Sequence, residues 1–269
     1  MKNQYVNIAC GDVYIDDWLN FDYYPHSVHV EKANLLGSLP VNDCTVDVVY
    51  SSHFLEHVPR NKVAGFLKEC FRITKPGGVI RLVLPDLEDI CHTYLVARES
   101  EAHEEADFLM LELLDQCVRT KVGGELGAYY DKLKSTVKEN TKMVDFVLQR
   151  TGFDIKASIE SDAHKKISMT PRKILSKLES LYCRAVLLLL PKAFRTQNVS
   201  LAMVGERHSW VYDFYTVKKI LEIAGFSDVR KFTSITSYIS GFPFHGLDVH
   251  ENNLPRKGKE SMYIEAIKN

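Results

Sequence analysis

Two nearly continuous apolar runs, residues 46–50 (VDVVY) and 79–84 (VIRLVL), flank a segment in which Val63, Phe66, Leu67, Cys70, Phe71 and Thr74 recur every three and four positions. Runs of this kind are strands buried on both faces of a parallel sheet, and parallel neighbours need a long crossover between them. The periodic segment supplies it as an amphipathic helix. A chain holding this unit is restricted to α/β layering. Asn61 is expected to cap the helix, Pro76-Gly77-Gly78 to end it, and Pro85-Asp86 to close the second strand.

The pattern extends in both directions. Residues 5–9 (YVNIA) and 18–21 (WLNF), the latter ending at Asp22, read as two more strands. Only about eight residues separate them, too few for a crossover helix, so a loop or single turn is expected there. Val217, Ile220, Leu221 and Ala224 mark another helix stopped by Gly225, and residues 229–232 and 262–267 two closing strands. From about residue 91 to 205 the alternation stops. Ala106, Leu109, Met110, Leu113, Leu114 and Cys117 make one apolar helical stripe there, with no strand pattern around it. The expected organisation is a Rossmann-like core from residues 1–90 and 206–269, with helices on both faces of its sheet. A mostly helical insertion or lid, residues 91–205, would cover the carboxyl edge.

Composition narrows the function classes. A net charge of −1 gives no field to gather a polyanion, so no nucleic-acid partner is expected. The basic stretch at 172–177 reads as a solvated helix face. None of the six cysteines falls at a CxxC spacing, which argues against zinc-ribbon and thioredoxin-type chemistry. No secretory leader is read at the start, and reduced thiols suggest a cytoplasmic location. The longest apolar run, residues 185–190, is too short to span a bilayer. Burial in the core is expected for it, with contact at a membrane surface as the alternative.

Three constellations could carry chemistry. Asn7-Ile8-Ala9-Cys10-Gly11 ends the first strand in small residues that let a ligand approach the backbone. Asp22, with Tyr23 after it, ends the second, where an acid can accept both hydroxyls of a ribose. A tight turn with a capping Asp is the plain alternative. With no G-x-G-x-x-G, a dinucleotide is disfavoured. In the run 33–40, Asn34 and Leu35 could serve an adenine slot, or the run is an ordinary loop. The third constellation is Ser51-Ser52-His53-Phe54-Leu55-Glu56-His57-Val58, directly after VDVVY.

The segments NIACGD, FDYYP, SLPVND, VDVVYSSHFLEHV and ITKPGGVIRLVLPD, in that order, resemble the class I S-adenosylmethionine-dependent methyltransferases. The likeness is greatest to a bacterial group associated with surface-glycan synthesis. That group also shortens the first crossover, where this chain has DDWLNFD. The segments LELLDQCVRTKVGGELGAYY and GERHSWVYDFYTVKKILEIAGFSDVRKF are similar to it too. The resemblance implies S-adenosylmethionine as cofactor, held by Asn7, Ala9, Cys10, Gly11, Asp22, Tyr23, Asn34, Leu35, Ser51, Ser52 and His53. The chain departs from the pattern at Ala9-Cys10, where Gly is usual, and at Asn34, where Asp is usual.

For transfer to a hydroxyl, the chemistry asks for alignment and a nearby base. His53 is the first candidate, with His208 and Asp86 behind it. The expected acceptor is a small molecule or glycan presenting a sugar hydroxyl, met by Asp115, Gln116, Arg119, Trp210 and Tyr212. Alternatives are a small carboxylate clamped by Arg119, or a cofactor-binding regulatory protein without turnover. Asp115, Gln116 and Arg119 could equally form a solvated helix edge, and Trp210 and Tyr212 could pack under the lid. His53, Glu56 and His57 would share one face of a helix. They lack a further ligand nearby in sequence, so no metal is expected. Glu56 and His57 are read as orienting the loop after the strand and capping the next helix.

Overall fold

The computed structural model describes residues 4–164, 178, 181–183, 185–202 and 205–269. The basic stretch at 172–177 lies outside them. Seven strands form one sheet: β1 (Tyr5–Ile8), β2 (Leu19–Asp22), β3 (Glu31–Lys32), β4 (Val46–Ser52), β5 (Thr74–Pro85), β6 (Ser227–Phe232) and β7 (Ser261–Ile267). Their order is β3-β2-β1-β4-β5-β7-β6. β1 pairs in parallel with β2 on one side (Ile8 against Phe21) and with β4 on the other (Ile8 against Ser51). The chain thus winds outward from β1 in two directions. This makes the gap beyond the carboxyl ends of β1 and β4 the switch point where α/β sheets bind ligands. β7 runs antiparallel between β5 and β6.

The alternation of side chains sorts the sheet into two faces. Val6, Ile8, Val49, Ile80, Leu82, Leu84, Met262, Ile264 and Ala266 point to one side. There they meet Val63, Phe66, Leu67 and Cys70 of α1 (Arg60–Ile73) and Val217 and Leu221 of the C-terminal helix, α8 (Phe214–Ala224). The opposite face breaks the expectation of helices on both sides. Trp18, Tyr50, Val83 and Tyr263 are covered by Leu247 and Phe244, and Val48 and Val79 by Ile239, all from the irregular segment between β6 and β7. Arg81 points into this second face and is fully buried. Its Nε donates to Asp248 (2.8 Å), its Nη1 to Glu265 (2.5 Å) and its Nη2 to the Thr233 carbonyl (2.8 Å). Among the described residues, a polar staple and a layer of loop therefore stand where a helical layer was expected.

The β1–β2 connection contains no helix, as its length requires. Asn61 does not cap α1. Pro59 stands at the N-cap without a side-chain bond, and Lys62 N–H reaches its carbonyl at 2.7 Å, so the fixed φ of proline starts the helix and Asn61 falls inside the first turn. Strand β5 follows α1 without a gap, beginning at Thr74, which pairs with Val46. Pro76-Gly77-Gly78 is a bend within β5. A Cβ at Gly78 would stand 2.7 Å from Thr74 Cγ2, so only glycine fits.

After β5 come α2 (Leu87–Glu99), α3 (His103–Val118), α4 (Gly124–Ser135), α5 (Thr141–Thr151), α6 (Ile155–His164) and, further on, α7 (Lys192–Asn198). Phe108, Leu126, Leu133, Met143, Val144, Val147 and Ile155 form a core of their own. The stripe expected on α3 is rotated: Met110 and Leu114 are exposed, whereas Glu112 and Asp115 are buried because each meets an arginine. Arg150 pairs with Glu112 and Asp89, and its carbonyl accepts from Glu260 N–H just before β7. These bonds join the helical group to the carboxyl edge of the sheet. The run 185–190 is not buried. Leu188 and Leu189 are 72% and 84% exposed, since α3 to α6 complete their core without it. No helix of the described residues is long and apolar enough to cross a membrane.

Replacing Arg81 by Met strands two carboxylates in the second face. The variant is expected to lose about 3–5 kcal/mol of stability, the scale of a broken buried pair. Denaturant unfolding checks this, and a loss under about 1 kcal/mol would show that the staple contributes little.

Candidate active site

The carboxyl ends of β1, β2 and β4 bring the first group of expected residues together. Ala9 and Gly11 have positive φ of 60° and 54°, turning the chain sharply out of β1. Asn7 is buried and donates to the Val13 carbonyl (3.0 Å), fixing the base of this loop. Gly11 N–H donates to Asp22 Oδ2 (2.9 Å), while Asp22 Oδ1 accepts from Tyr24 N–H (2.9 Å). The carboxylate therefore holds the loop and keeps lone pairs for a ligand. A Cβ built at Gly11 meets nothing within 4 Å, so the space above its backbone is open. Tyr23 donates its hydroxyl to Asn34 Oδ1 (2.7 Å), which links the end of β2 to the loop after β3. Leu35 and Ser51 face inward: Leu35 is in the core and Ser51 Oγ donates to the Ile8 carbonyl (3.0 Å). Burial, then the charge of Asp22, pushes the Cys10 thiol up to about 12, so it stays protonated. Ser52 ends β4 half-buried.

A second group forms one step further along β4. His53 has a φ of 50° and starts a turn into a 3-10 segment, Leu55–His57. The segment 205–212 docks on it. Ser209 and Trp210 N–H both donate to the Glu56 carbonyl (2.7 and 3.2 Å), and Ser209 Oγ donates to the His57 carbonyl (3.0 Å). His208 N–H donates to the Gln116 carbonyl of α3 (3.0 Å). The His57 and His208 rings meet edge to face at 4.8 Å. Glu56 is buried and both of its carboxylate oxygens lack a hydrogen-bond partner. His53 Nδ1 lies 3.4 Å from Glu56 Oε1, and its Nε2 is 3.0 Å from Ser261 Oγ. Burial raises the Glu56 carboxyl to about 8 and holds His53, His57 and His208 below the usual imidazole range, His208 at about 3. Neutral imidazoles so hard to protonate are weak bases. Glu56 does not cap α1, which begins at Arg60.

Beside this group lies a cleft of about 720 Å³, lined by Pro59, Arg60, Cys117, Arg207, His208, Ser209, Trp210 and Val211. The Arg60 guanidinium stacks 4.1 Å from the centre of the exposed Trp210 ring. Arg60, Arg207 and Ser209 were not singled out in the sequence; Arg207 and Ser209 had only their adjacency to His208 as a signal, and Arg60 had none.

The remaining expected residues are engaged elsewhere. Asp86 is the N-cap of α2, accepting from Glu88 N–H (3.1 Å), and pairs with Lys231. Arg119 forks onto Asp115 through Nε (3.1 Å) and Nη2 (2.6 Å), and Asp115 accepts Glu125 N–H at the start of α4 (2.6 Å). That pair caps a helix instead of facing solvent. Tyr212 is buried in the sheet core.

Residues 9–82 match the family described as "Methyltransferase domain". A 63-residue stretch is 40% identical to a "Probable S-adenosylmethionine-dependent methyltransferase" of Mycolicibacterium smegmatis, covering 23% of this chain and 23% of that protein. The chain thus spans under a quarter of the length of the curated relative it matches. Among solved structures, a SAM-dependent methyltransferase of Thermotoga maritima aligns over 100% of this chain and 83% of its own, with 12% identity and a TM-score of 0.43. One of Archaeoglobus fulgidus aligns over 99% and 86%, with 14% identity and a TM-score of 0.41.

Two outcomes are expected. Asp22→Ala should cost about 1.5–3 kcal/mol of affinity for S-adenosylhomocysteine, the scale of hydrogen bonds to a charged acceptor. Calorimetry reads this, and unchanged affinity would remove Asp22 from the site. Between pH 4.5 and about 8 the folded chain keeps a proton on Glu56 that the unfolded chain releases, so Glu56 lowers stability as pH rises through that window. In metal-free buffer Glu56→Gln should therefore gain on the parent from pH 4.5 to 8. A constant difference would show that Glu56 titrates normally.

Proposed function

We propose that the protein is an S-adenosylmethionine-dependent methyltransferase that methylates a hydroxyl of a sugar or glycan. The observation that carries the first half is the convergence of an open Gly11 backbone, the Asp22 carboxylate and the Tyr23–Asn34 pair at the β1/β4 switch point. These residues fit the cofactor: Asp22 for the ribose hydroxyls, the 9–11 backbone for the amino-acid part and the Asn34-Leu35 loop for the adenine edge. The matching methyltransferase-domain family over residues 9–82 supports the same reading. When bound, the sulfonium supplies a methyl group already activated for attack. What the chain must add is alignment and exclusion of water.

The acceptor reading rests on the cleft. Trp210 offers a flat face held rigid by Arg60, suited to packing on a sugar ring. Arg60 and Arg207 fit a phosphate on the same molecule, as a sugar carried on a nucleotide or lipid would have. The carboxylate alternative is disfavoured because Arg119 is forked onto Asp115.

Incubation with labelled cofactor and separate pools of sugar nucleotides, glycolipids, nucleic acids and proteins tests the proposal. Label is expected in a sugar-bearing pool. Entry only into nucleic acid or protein would reject the sugar reading. Trp210→Ala should lower kcat/KM for the sugar acceptor up to about 10-fold, with cofactor affinity unchanged.

A further inference from the structure

We propose that Glu56, His57 and His208 form a binding site for a divalent transition-metal ion of the zinc type, opening toward the cleft beside Trp210. One ligand atom from each of the three lies within 4.8 Å of the others. Ligands about 2.1 Å from a shared tetrahedral ion stand roughly 3.4 Å apart, so side-chain rotations would have to draw these atoms together by up to about 1.4 Å. The expectation of no metal rested on the lack of a further ligand near His53, Glu56 and His57 in sequence; the geometry brings Glu56 and His57, without His53, together with a distant residue. His208 supplies the further ligand from the segment before α8, on the far side of the helical insertion.

Two independent features point to a cation, and a third shows that the site is held in place. The Glu56 carboxylate is 1% exposed and neither oxygen has a hydrogen-bond partner. An acid so placed is costly unless something positive completes it. No arginine or lysine forms an ion pair with it among the described residues, although the Lys257 charge is near enough to act on it, and its nearest neighbour is His53 Nδ1 at 3.4 Å. Second, the tautomer of His57 is set. Its Nδ1 lies 2.9 Å from the Arg207 carbonyl, which can only accept, so Nδ1 carries the proton and Nε2 presents a lone pair. A ligating imidazole held by a backbone carbonyl on its other nitrogen is a recurrent metal-site arrangement. Third, the site is built. The Glu56 carbonyl takes two N–H groups from the 205–212 segment, and Gln116 of α3 takes the N–H of His208. Two imidazoles and one carboxylate suit a borderline ion such as Zn²⁺, Co²⁺ or Fe²⁺, and leave positions open for water or substrate. Mg²⁺ and Ca²⁺ prefer all-oxygen sets.

The role of the ion rests on the proposed methyl transfer. A hydroxyl bound at an open position would ionise more readily, with the proton leaving to solvent, and its oxygen would be presented toward the cofactor side of β4.

The test reads metal binding apart from catalysis. Tag-free protein stripped with a chelator is titrated with Zn²⁺ by calorimetry and with Co²⁺ by visible absorption. One ion per chain is expected, with cobalt bands of a low-coordinate nitrogen and oxygen site. His208→Ala and Glu56→Gln should each weaken binding at least 100-fold, and Zn²⁺ should raise the melting temperature of the parent but not of the variants. His208→Gln, close in size, serves if His208→Ala does not fold. Absence of stoichiometric binding, or binding that both variants keep, overturns the site. Stoichiometric binding without methyl transfer to any pool leaves the site standing and rejects the proposed reaction. Full transfer by stripped protein that binds no ion does the reverse.

Discussion

The buried guanidinium of Arg81 sets the shape of the second half of the molecule. It lies on β5, next to the central strand β4, and it draws Asp248, Glu265 and the Thr233 carbonyl onto a face that no helix of the described residues covers. Tyr50 on β4 donates to the same Asp248, and the Ser237 hydroxyl and Tyr238 N–H complete Glu265. Each carboxylate is thereby satisfied, which is the condition under which a buried charge network can hold a structure instead of weakening it. The irregular segment between β6 and β7 depends on it for its place. Leu247 and Phe244 reach Trp18 and Tyr50 because Asp248 is anchored beside them.

That anchoring bears on the carboxyl edge. The same segment runs on through Arg256, Gly258 and Glu260 into β7, and there it meets the end of α5. A Cβ at Gly258 would stand 2.1 Å from the Arg150 carbonyl, so the backbones touch. Arg150 then carries the contact into α2 and α3 through Asp89 and Glu112. The helical group is thus positioned over the strand ends by charge pairs at its base, while its own apolar core is closed on itself. Two arginines, one under the sheet and one at its rim, place most of what surrounds the site.

The elements legible in the sequence were those with a strong local period. The βαβ unit, the loop-only first crossover and the C-terminal helix and strands stand where the pattern puts them. Features that depend on partners distant in sequence were not legible. The apolar stripe of α3 was misplaced because Glu112 and Asp115 are buried by arginines the period cannot reveal. The second face was expected to carry helices because a Rossmann-like sheet has them on both sides, and Arg81, one polar residue in a buried strand, gave no local sign of the loop layer it holds. Among the candidate residues, Gly11, Asp22 and Asn34 were legible because each ends a strand or opens the loop after one. Arg119 and Asp86 also carry chemistry on paper, yet their charges are taken up by Asp115 and Lys231. Glu56 was visible but its company was not: His208 arrives through a loop whose position is set by backbone bonds to Glu56 itself.

The strand end at β4 joins these threads. Ser51 locks the backbone to β1 beside Gly11 and Asp22, and His53 leaves the strand in a left-handed conformation, at a cost of about 1–3 kcal/mol for a non-glycine residue. The turn takes the chain from there to Glu56 and His57 within a few residues, so the two candidate sites share one rigid segment. His53 N–H is held by the Val83 carbonyl of β5 at 2.7 Å, which keeps that segment tied to the sheet. A ligand on the Gly11 side and one on the Glu56 side would therefore meet at a distance set by the sheet and not by a flexible lid. For a transfer that depends on aligning two reactants, that rigidity is the property the architecture most needs to supply.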